Sequence, residues 1–350
     1  SRMGMLDIVR MGARSQSAWR AGKLKKNLAG WADMEQKHTK IPLVVVAGPT
    51  ASGKTSLAVR LAQAFDGEVI SADSMQIYQQ MQIATARPDA SEMKGIPHHL
   101  IGFVPPDRTS FSVVDYARLA HEAIREVHQR GKLPILAGGT GLYIHAVVDH
   151  LDFTEIRSDP AVRNALKTLA AERGNQYMLD LLRENDPELA DRLHPGNLGR
   201  ILRALEVYQL TGITMTEHQR RSRLKPSNYA LCMLGISYSD RQMLYDRINL
   251  RVDRMLETGL VEEARQISRI YGGTARQAIG YKELQPYLDG ADSLESCIDR
   301  LKQATRNYAK RQLTWFRRDS RIEWLLVDQC ENQDELVDLA KNAIHKSGIL

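Results

Sequence analysis

The apolar positions of this chain fall into short unbroken runs separated by stretches of helical spacing. Leu43-Val44-Val45-Val46-Ala47 has the length and β-branched content of a fully buried strand. Leu57, Ala58, Leu61, Ala62 and Phe65 then share one face of a predicted helix from Lys54 to about Phe65. A short strand over Glu68–Ala72 follows and ends at Asp73. Ser112-Val113-Val114-Asp115 has the form of a capping box, with Asp in place of the commoner Glu. It opens a helix to Gln129, with Gly131 as its stop, and Leu133–Ala137 is the next buried-type strand. Strands alternating with helices in this way predict a parallel sheet with right-handed crossovers.

The pattern then changes. From 157 to 225 only helical signals are found: Asp159-Pro160 as cap and first residue, Gly174 as stop, Asp186-Pro187 as a second start, and Leu198–Leu210 ended by Gly212. Leu231–Ile236 returns to strand character. Helices follow at about 240–258, 260–270 and 293–318, and Ile322–Val327 is the last predicted strand. The expected fold is therefore α/β. A core over 41–156 and 226–330 is interrupted by an all-helical insertion domain over 157–225, and 331–350 is left as a C-terminal tail.

Composition adds bounds. The 350 residues, 43% hydrophobic and 26% charged, are ordinary for a globular protein, and no apolar run approaches a membrane span. Cys232, Cys297 and Cys330 are widely spaced, which fits a reducing compartment such as the cytoplasm and no zinc module. The net charge of +6 resides in the first forty residues, where nine basic side chains face three acidic ones. The rest of the chain balances to zero, so its basic pI is no argument for nucleic-acid binding by the folded body. Residues 1–40 are expected to be a disordered, dispensable extension. An Arg-rich transit segment and an extension read from an upstream start, with the fold beginning near Met34, are the other readings.

The chemistry begins at Gly48-Pro49-Thr50-Ala51-Ser52-Gly53-Lys54-Thr55, a complete G-x-x-x-x-G-K-[ST] phosphate loop between a strand and a helix. Backbone amides and the helix N-terminus cradle phosphate oxygens, Lys54 neutralises them, and the Thr55 hydroxyl can ligand Mg²⁺. Such a loop leaves open a motor ATPase, a small-molecule kinase and a transferase that uses another diphosphate. A motor needs a later core strand ending in a carboxylate that holds Mg²⁺ and water. Here that strand ends Ala137-Gly138-Gly139-Thr140, and the strand that ends in a carboxylate is the one running to Asp73. An Asp there suits a general base toward an acceptor nucleophile.

Asp73-Ser74-Met75-Gln76-Ile77-Tyr78 resembles the D-S-x-Q-[IV]-Y signature of the tRNA dimethylallyltransferases. Gly48–Thr55, Thr85-Ala86-Arg87-Pro88, Pro97-His98-His99-Leu100 and Gly138–Tyr143 are similar to further motifs of that family. So are Arg200 to Val207, Gly280-Tyr281 and Lys310 to Phe316, and all of them stand in family order over about 42–328. The sequence departs at Ala84, where the family usually has Gly, at Arg87 for a frequent Lys, and in its long N-terminus. It lacks the C-terminal zinc finger of the eukaryotic cytosolic and nuclear enzymes, which points to a bacterial type.

The resemblance implies a P-loop NTPase-like core and transfer of a dimethylallyl group from its diphosphate to the exocyclic amine of the adenosine beside the tRNA anticodon. Mg²⁺ is the implied cofactor, and a cytoplasmic monomer the implied form. Asp73 is the implied base, with a helix cap as its alternative role. Arg247 is the implied diphosphate-binding arginine, with a surface salt bridge as its alternative. Thr50 and Thr140 can place hydroxyls at the reaction centre. The tRNA contacts implied are Asp73, Ser74, Met75 and Gln76, Thr140, Arg163, the segment Gly199, Arg200, Ile201, Leu202 and Arg203, and the segment Arg276, Gln277, Ala278, Ile279, Gly280 and Tyr281. Basic runs at Arg220, Arg221, Arg223 and Lys225, and at Arg306 to Arg318 beside Tyr308, Trp315 and Phe316, suit phosphate contact and base stacking or are solvated helix faces. His98 and His99 are read as structural. A kinase with Asp73 as base for a hydroxyl, and a non-catalytic RNA-binding protein, are the rival readings.

Overall fold

The computed structural model describes residues 40–105, 111–149, 158–224, 226–270 and 275–350. The expected N-terminal extension, Lys225 and the proposed domain junction near 156 lie outside the described residues. From Pro42 onward the chain forms one compact unit.

Strand β1 (Ile41–Ala47) is buried from Leu43 to Ala47, as a strand covered on both faces must be. It leads through the phosphate loop into α1 (Lys54–Phe65), whose Leu57, Ala58, Leu61 and Ala62 face the sheet. Then come β2 (Gly67–Ser71), the two-residue β3 (His98–His99), α2 (Val113–Gln129), β4 (Leu133–Gly138) and α3 (Gly141–Val148). The capping box expected at α2 is present: Ser112 Oγ accepts from Asp115 N, and Asp115 accepts from Ser112 N. The sheet is completed by β5 (Tyr229–Ser237) and β6 (Ile322–Leu326) in the order β3-β2-β4-β1-β5-β6. The pairs β1–β4, β2–β4, β2–β3 and β5–β6 are parallel.

Between α3 and β5 the described chain is helical: α4 (Pro160–Arg173), α5 (Asn175–Asn185), α6 (Leu198–Thr211) and α7 (Met215–Leu224). Asp159 caps α4 by accepting from Ala161 N and Val162 N, with Pro160 at the first position. Gly212 ends α6 in the left-handed conformation that lets the last carbonyls be satisfied. Leu166, Met178, Leu182, Ile201, Leu202 and Leu205 form a core of their own. After β5, helices α8 (Arg241–Glu257), α9 (Leu260–Ile270), α10 (Tyr281–Leu288) and α11 (Leu294–Phe316) precede β6.

The last twenty residues, read as a tail, correct that reading. They hold α12 (Gln333–Ser347), capped by Asn332. Its Leu336, Val337, Ala340, Ala343 and Ile344 enter the same core as β1, β5 and α1. Apolar residues at i, i+1, i+4, i+7 and i+8 behind an Asn cap are a helix signal, and this one extends the fold past the last strand. No helix of the described residues is long and apolar enough to cross a membrane.

Candidate active site

The loops at the carboxyl ends of β1, β2 and β4 meet at one place. The phosphate loop curls because Ala51 adopts a φ of 62° and Gly53 one of 93°, which turns successive amides toward a common centre. Lys54 folds back over the loop, its Nζ donating to Pro49 O at 3.1 Å. Burial, with the charge of Arg251 adding to it, pulls the Lys54 ammonium down to about 8 against a smaller opposing effect of Asp73. Thr55 is half-buried at the first turn of α1.

Asp73 follows β2 directly. Its Oδ1 accepts from Met75 N at 2.8 Å and from Gln76 N at 3.2 Å, so the capping role weighed for it exists. That uses one oxygen and leaves Oδ2 without a hydrogen-bond partner among the described residues. Capping fixes the carboxylate while the second oxygen stays available. Thr140 is brought alongside because the β4 turn is bound to the end of β2: Thr140 N donates to Ala72 O at 3.1 Å, and Ser74 N donates to Thr140 Oγ1 at 3.0 Å. Only glycine permits that approach, since a Cβ on Gly138 would lie 2.2 Å from Ala72 O. Tyr116 and Tyr143 stack beneath with centroids 3.9 Å apart, and the Tyr116 hydroxyl holds Ser71 O at 3.0 Å.

Arg247 on α8 donates to Ala51 O at 3.3 Å and lies over the Tyr238 ring. It forms no ion pair among the described residues, so its contact is with the loop backbone and not the surface salt bridge weighed for it. Arg251, one turn on, is enclosed beside it. Burial lowers its ordinary high value, Asp73 and Glu92 work against that, and Arg247 adds to it. Two residues of α11 enter the site in places the sequence reading did not give them. Gln312 is buried on α11 and bonded to Thr50 N and Gly139 O. Tyr308, a turn earlier, brings its hydroxyl to Thr140 and Gln312, and burial raises its ionisation well out of reach. Arg251 stands outside the motifs read from the sequence, and Gln312 was visible only inside the Lys310 to Phe316 motif.

The expected RNA-contacting residues divide. Arg200 is exposed and unpaired among the described residues. Arg203 and Arg163 instead donate to the fully buried Glu206, at 2.9 and 3.2 Å. Burial alone would raise Glu206; hydrogen bonds from Ser158 and Arg203 and the two arginine charges bring it below its ordinary range. Ile201 and Leu202 are core side chains of the helical segment, and Ala278 and Tyr281 lie in the core around α9 to α11, so none of these four presents its side chain to a partner. The Gln76 amide is likewise spent inside, donating to Thr85 O and Ala86 O. Ser74 and Met75 are half-buried beside Asp73, Ile279 is half-buried, and Gly199 is exposed. Arg276 and Gln277 are exposed and, with Lys282 and Gln285, line a shallow cleft of about 350 Å³. Glu263 ties this segment to the loop after Asp73: it accepts from Gln82 N, Ile83 N, Ala84 N and the Tyr281 hydroxyl.

The aromatic residues of α11 do not form a stacking platform. Phe316 is fully buried, Trp315 packs on Gly141 and donates to His145, and Tyr308 faces the site. A helix places residues four apart on one face, so 308, 312 and 316 turn inward while Lys310, Arg311, Arg317 and Arg318 stay exposed. In the basic run of α7, Arg220 and Arg221 pair with Glu217 as a solvated face would. His99 bonds to the buried Glu68, and His98 Nδ1 to Ile96 O, as structural histidines.

A profile of the IPP transferase family matches residues 76–319. The chain belongs to the IPP transferase family. Among IPP transferase relatives, a Thermoanaerobacter sp. (strain X514) protein named tRNA dimethylallyltransferase is 47% identical over 301 residues, which cover 85% of this chain and 95% of that one. A crystal structure of the tRNA isopentenylpyrophosphate transferase from Bacillus halodurans is 43% identical, covering 88% and 98%, with a TM-score of 0.65. A eukaryotic dimethylallyltransferase acting on tRNA is 31% identical, covering 88% and 79%, with a TM-score of 0.75. Solved members of the IPP transferase family thus share this fold across most of the chain.

Proposed function

We propose that the protein transfers the dimethylallyl group of dimethylallyl diphosphate to the exocyclic amine of the adenosine 3′-adjacent to the tRNA anticodon, releasing diphosphate. The observation that carries the reading is the Asp73 carboxylate, held by one oxygen and open at the other, between a phosphate loop and Thr140. The amine nitrogen attacks the allylic carbon as the carbon–oxygen bond to diphosphate breaks. Asp73 takes the amine proton as the nitrogen gains positive charge. Lys54, Arg247, Arg251 and the loop amides meet the charge that collects on the departing oxygens. Thr50 and Thr140 place hydroxyls on either side. The acceptor base must leave its stack to reach Asp73.

The donor set suits a hard cation. Among the described residues no cluster of three His, Cys, Asp or Glu could hold a metal. Mg²⁺ would thus be held by the Thr55 hydroxyl, the diphosphate itself and water. Bound there, it would neutralise leaving-group charge. On this reading the enzyme works in the cytoplasm as a monomer, with the helical segment α4–α7 as an RNA-facing domain.

Incubation with tRNA, Mg²⁺ and labelled dimethylallyl diphosphate tests the reading: label should enter RNA without ATP, and ATP hydrolysis should be negligible with or without tRNA. A tRNA-stimulated ATPase that leaves RNA unlabelled would refute it.

The helical segment supplies a further prediction. Arg200→Ala should weaken tRNA binding and lower the salt slope by about 1 with no change in melting temperature. Arg203→Ala should also destabilise the fold, because Glu206 is buried and loses one of its two arginines. Equal melting temperatures for the two variants would contradict that division.

A further inference from the structure

We propose that Gln312 is a positioning residue that fixes the gap between Thr50 and Thr140, and with it the path of the acceptor amine to Asp73. The inference rests on the reading of the site given above. The ladder between β1 and β4 runs in register up to Ala47 opposite Gly138. Beyond that pair the chains part, one entering the phosphate loop and the other the Gly139-Thr140 turn. The side-chain amide of Gln312 continues the ladder across the opening. Its Oε1 accepts from Thr50 N at 2.9 Å, and its Nε2 donates to Gly139 O at 3.0 Å. A primary amide offers one acceptor and one donor, as a peptide unit does, so the glutamine stands in for a missing backbone residue. It is 6% exposed, so water cannot take over either bond. Gly139 is what lets it in, because a Cβ there would lie 2.2 Å from Nε2.

Three consequences follow from that geometry. The Thr50 amide is committed to the protein and is not a phosphate donor. The Thr50 backbone, and so the direction of its hydroxyl, is set from α11 rather than by the loop alone. On the same helix, one turn from Gln312, Tyr308 brings its hydroxyl close to Thr140, whose own Oγ1 accepts from Ser74 N at 3.0 Å. Through Gln312 the phosphate loop at Thr50 and the turn at Gly139, next to Thr140, are both referred to α11. A misplacement of order an ångström at such a point slows chemistry far more than it weakens binding.

Gln312→Glu separates this role from simple packing. As a neutral acid, Glu reproduces both bonds, its O–H donating to Gly139 O and its carbonyl accepting from Thr50 N. As a carboxylate it presents an acceptor to the Gly139 carbonyl. Every other group of the site is common to both proteins, so the ratio of variant to parent kcat isolates position 312. That ratio should be near one at about pH 6 and fall about tenfold by about pH 9, with KM for dimethylallyl diphosphate little changed. Gln312→Met, of similar volume and without either bond, should be slowed at every pH with an unaltered KM. A pH-flat ratio for the Glu variant, or a Met variant of parental kcat, would overturn the inference. So would losses confined to KM. A parent protein that labels no RNA in the same series overturns the underlying reading, and the inference with it.

Discussion

Asp73→Asn should slow transfer by about 10²–10⁴, the span expected when a general base is lost. Asn keeps the size of Asp, and its amide oxygen can still accept from Met75 N and Gln76 N, so the turn at the end of β2 survives. What disappears is a proton acceptor on the oxygen that has no partner in the described structure. The loss should appear in single-turnover rate at saturating tRNA. Diphosphate affinity, measured by calorimetry, should change little, because the phosphate loop is a separate segment. Near-normal turnover of the variant would remove Asp73 from the chemistry and leave it as a cap.

Lys54→Ala should cost about 10²–10³ in transfer, on the scale of one lost charge-stabilising donor in a site that excludes water. The ammonium is enclosed, stands against the like charge of Arg251, and among the described residues has only the Pro49 carbonyl within hydrogen-bond reach. Its ordinary value near 10.5 falls to about 8, so it is protonated below that and loses its charge as pH rises through it. Affinity for diphosphate should accordingly decline above about pH 8 in the parent protein, and binding in that range should take up a proton. A bound diphosphate reverses the effect by favouring the charged form. In the Ala variant this step should be absent. A parent binding curve that is level across pH 8, or proton uptake that persists in the variant, would place the titrating group elsewhere.

Much of this architecture was legible in the chain because local chemistry and tertiary role agree. The unbroken apolar run of β1, the Ser112–Asp115 box and Asp159-Pro160 each announce an element by mechanisms acting within a few residues. The phosphate loop and Asp73 are legible for the same reason, being short segments at strand ends. Gln312 and Arg251 were not. Their roles arise from partners far off in sequence, as with Thr50, 262 residues from Gln312. No spacing rule reaches across that distance. The stacking reading of α11, one of the two weighed, fails for a different reason. Aromatic and basic residues adjacent in sequence look like one surface, yet the helical period sends Tyr308 and Phe316 inward while Arg317 and Arg318 stay outside. Arg163 and Arg203 show the same limit: their charge is visible, but the buried carboxylate that claims them is not.

The strand order also dictates when the protein can come to life during its own synthesis. β1 is made first but ends between β4 and β5, and β5 follows the whole helical segment. At about 5–20 residues per second, the ribosome delivers β1 on the order of ten seconds or more before α11. In the interval the early strands can pair, and α4 to α6 can gather their local core, while one edge of β1 stays open. Gln312 and Tyr308 arrive with α11, near the end. The nascent chain therefore carries its phosphate-binding motif long before it can hold the two threonines in place. Products of interrupted translation would expose the motif, and an unpaired strand edge, without the activity.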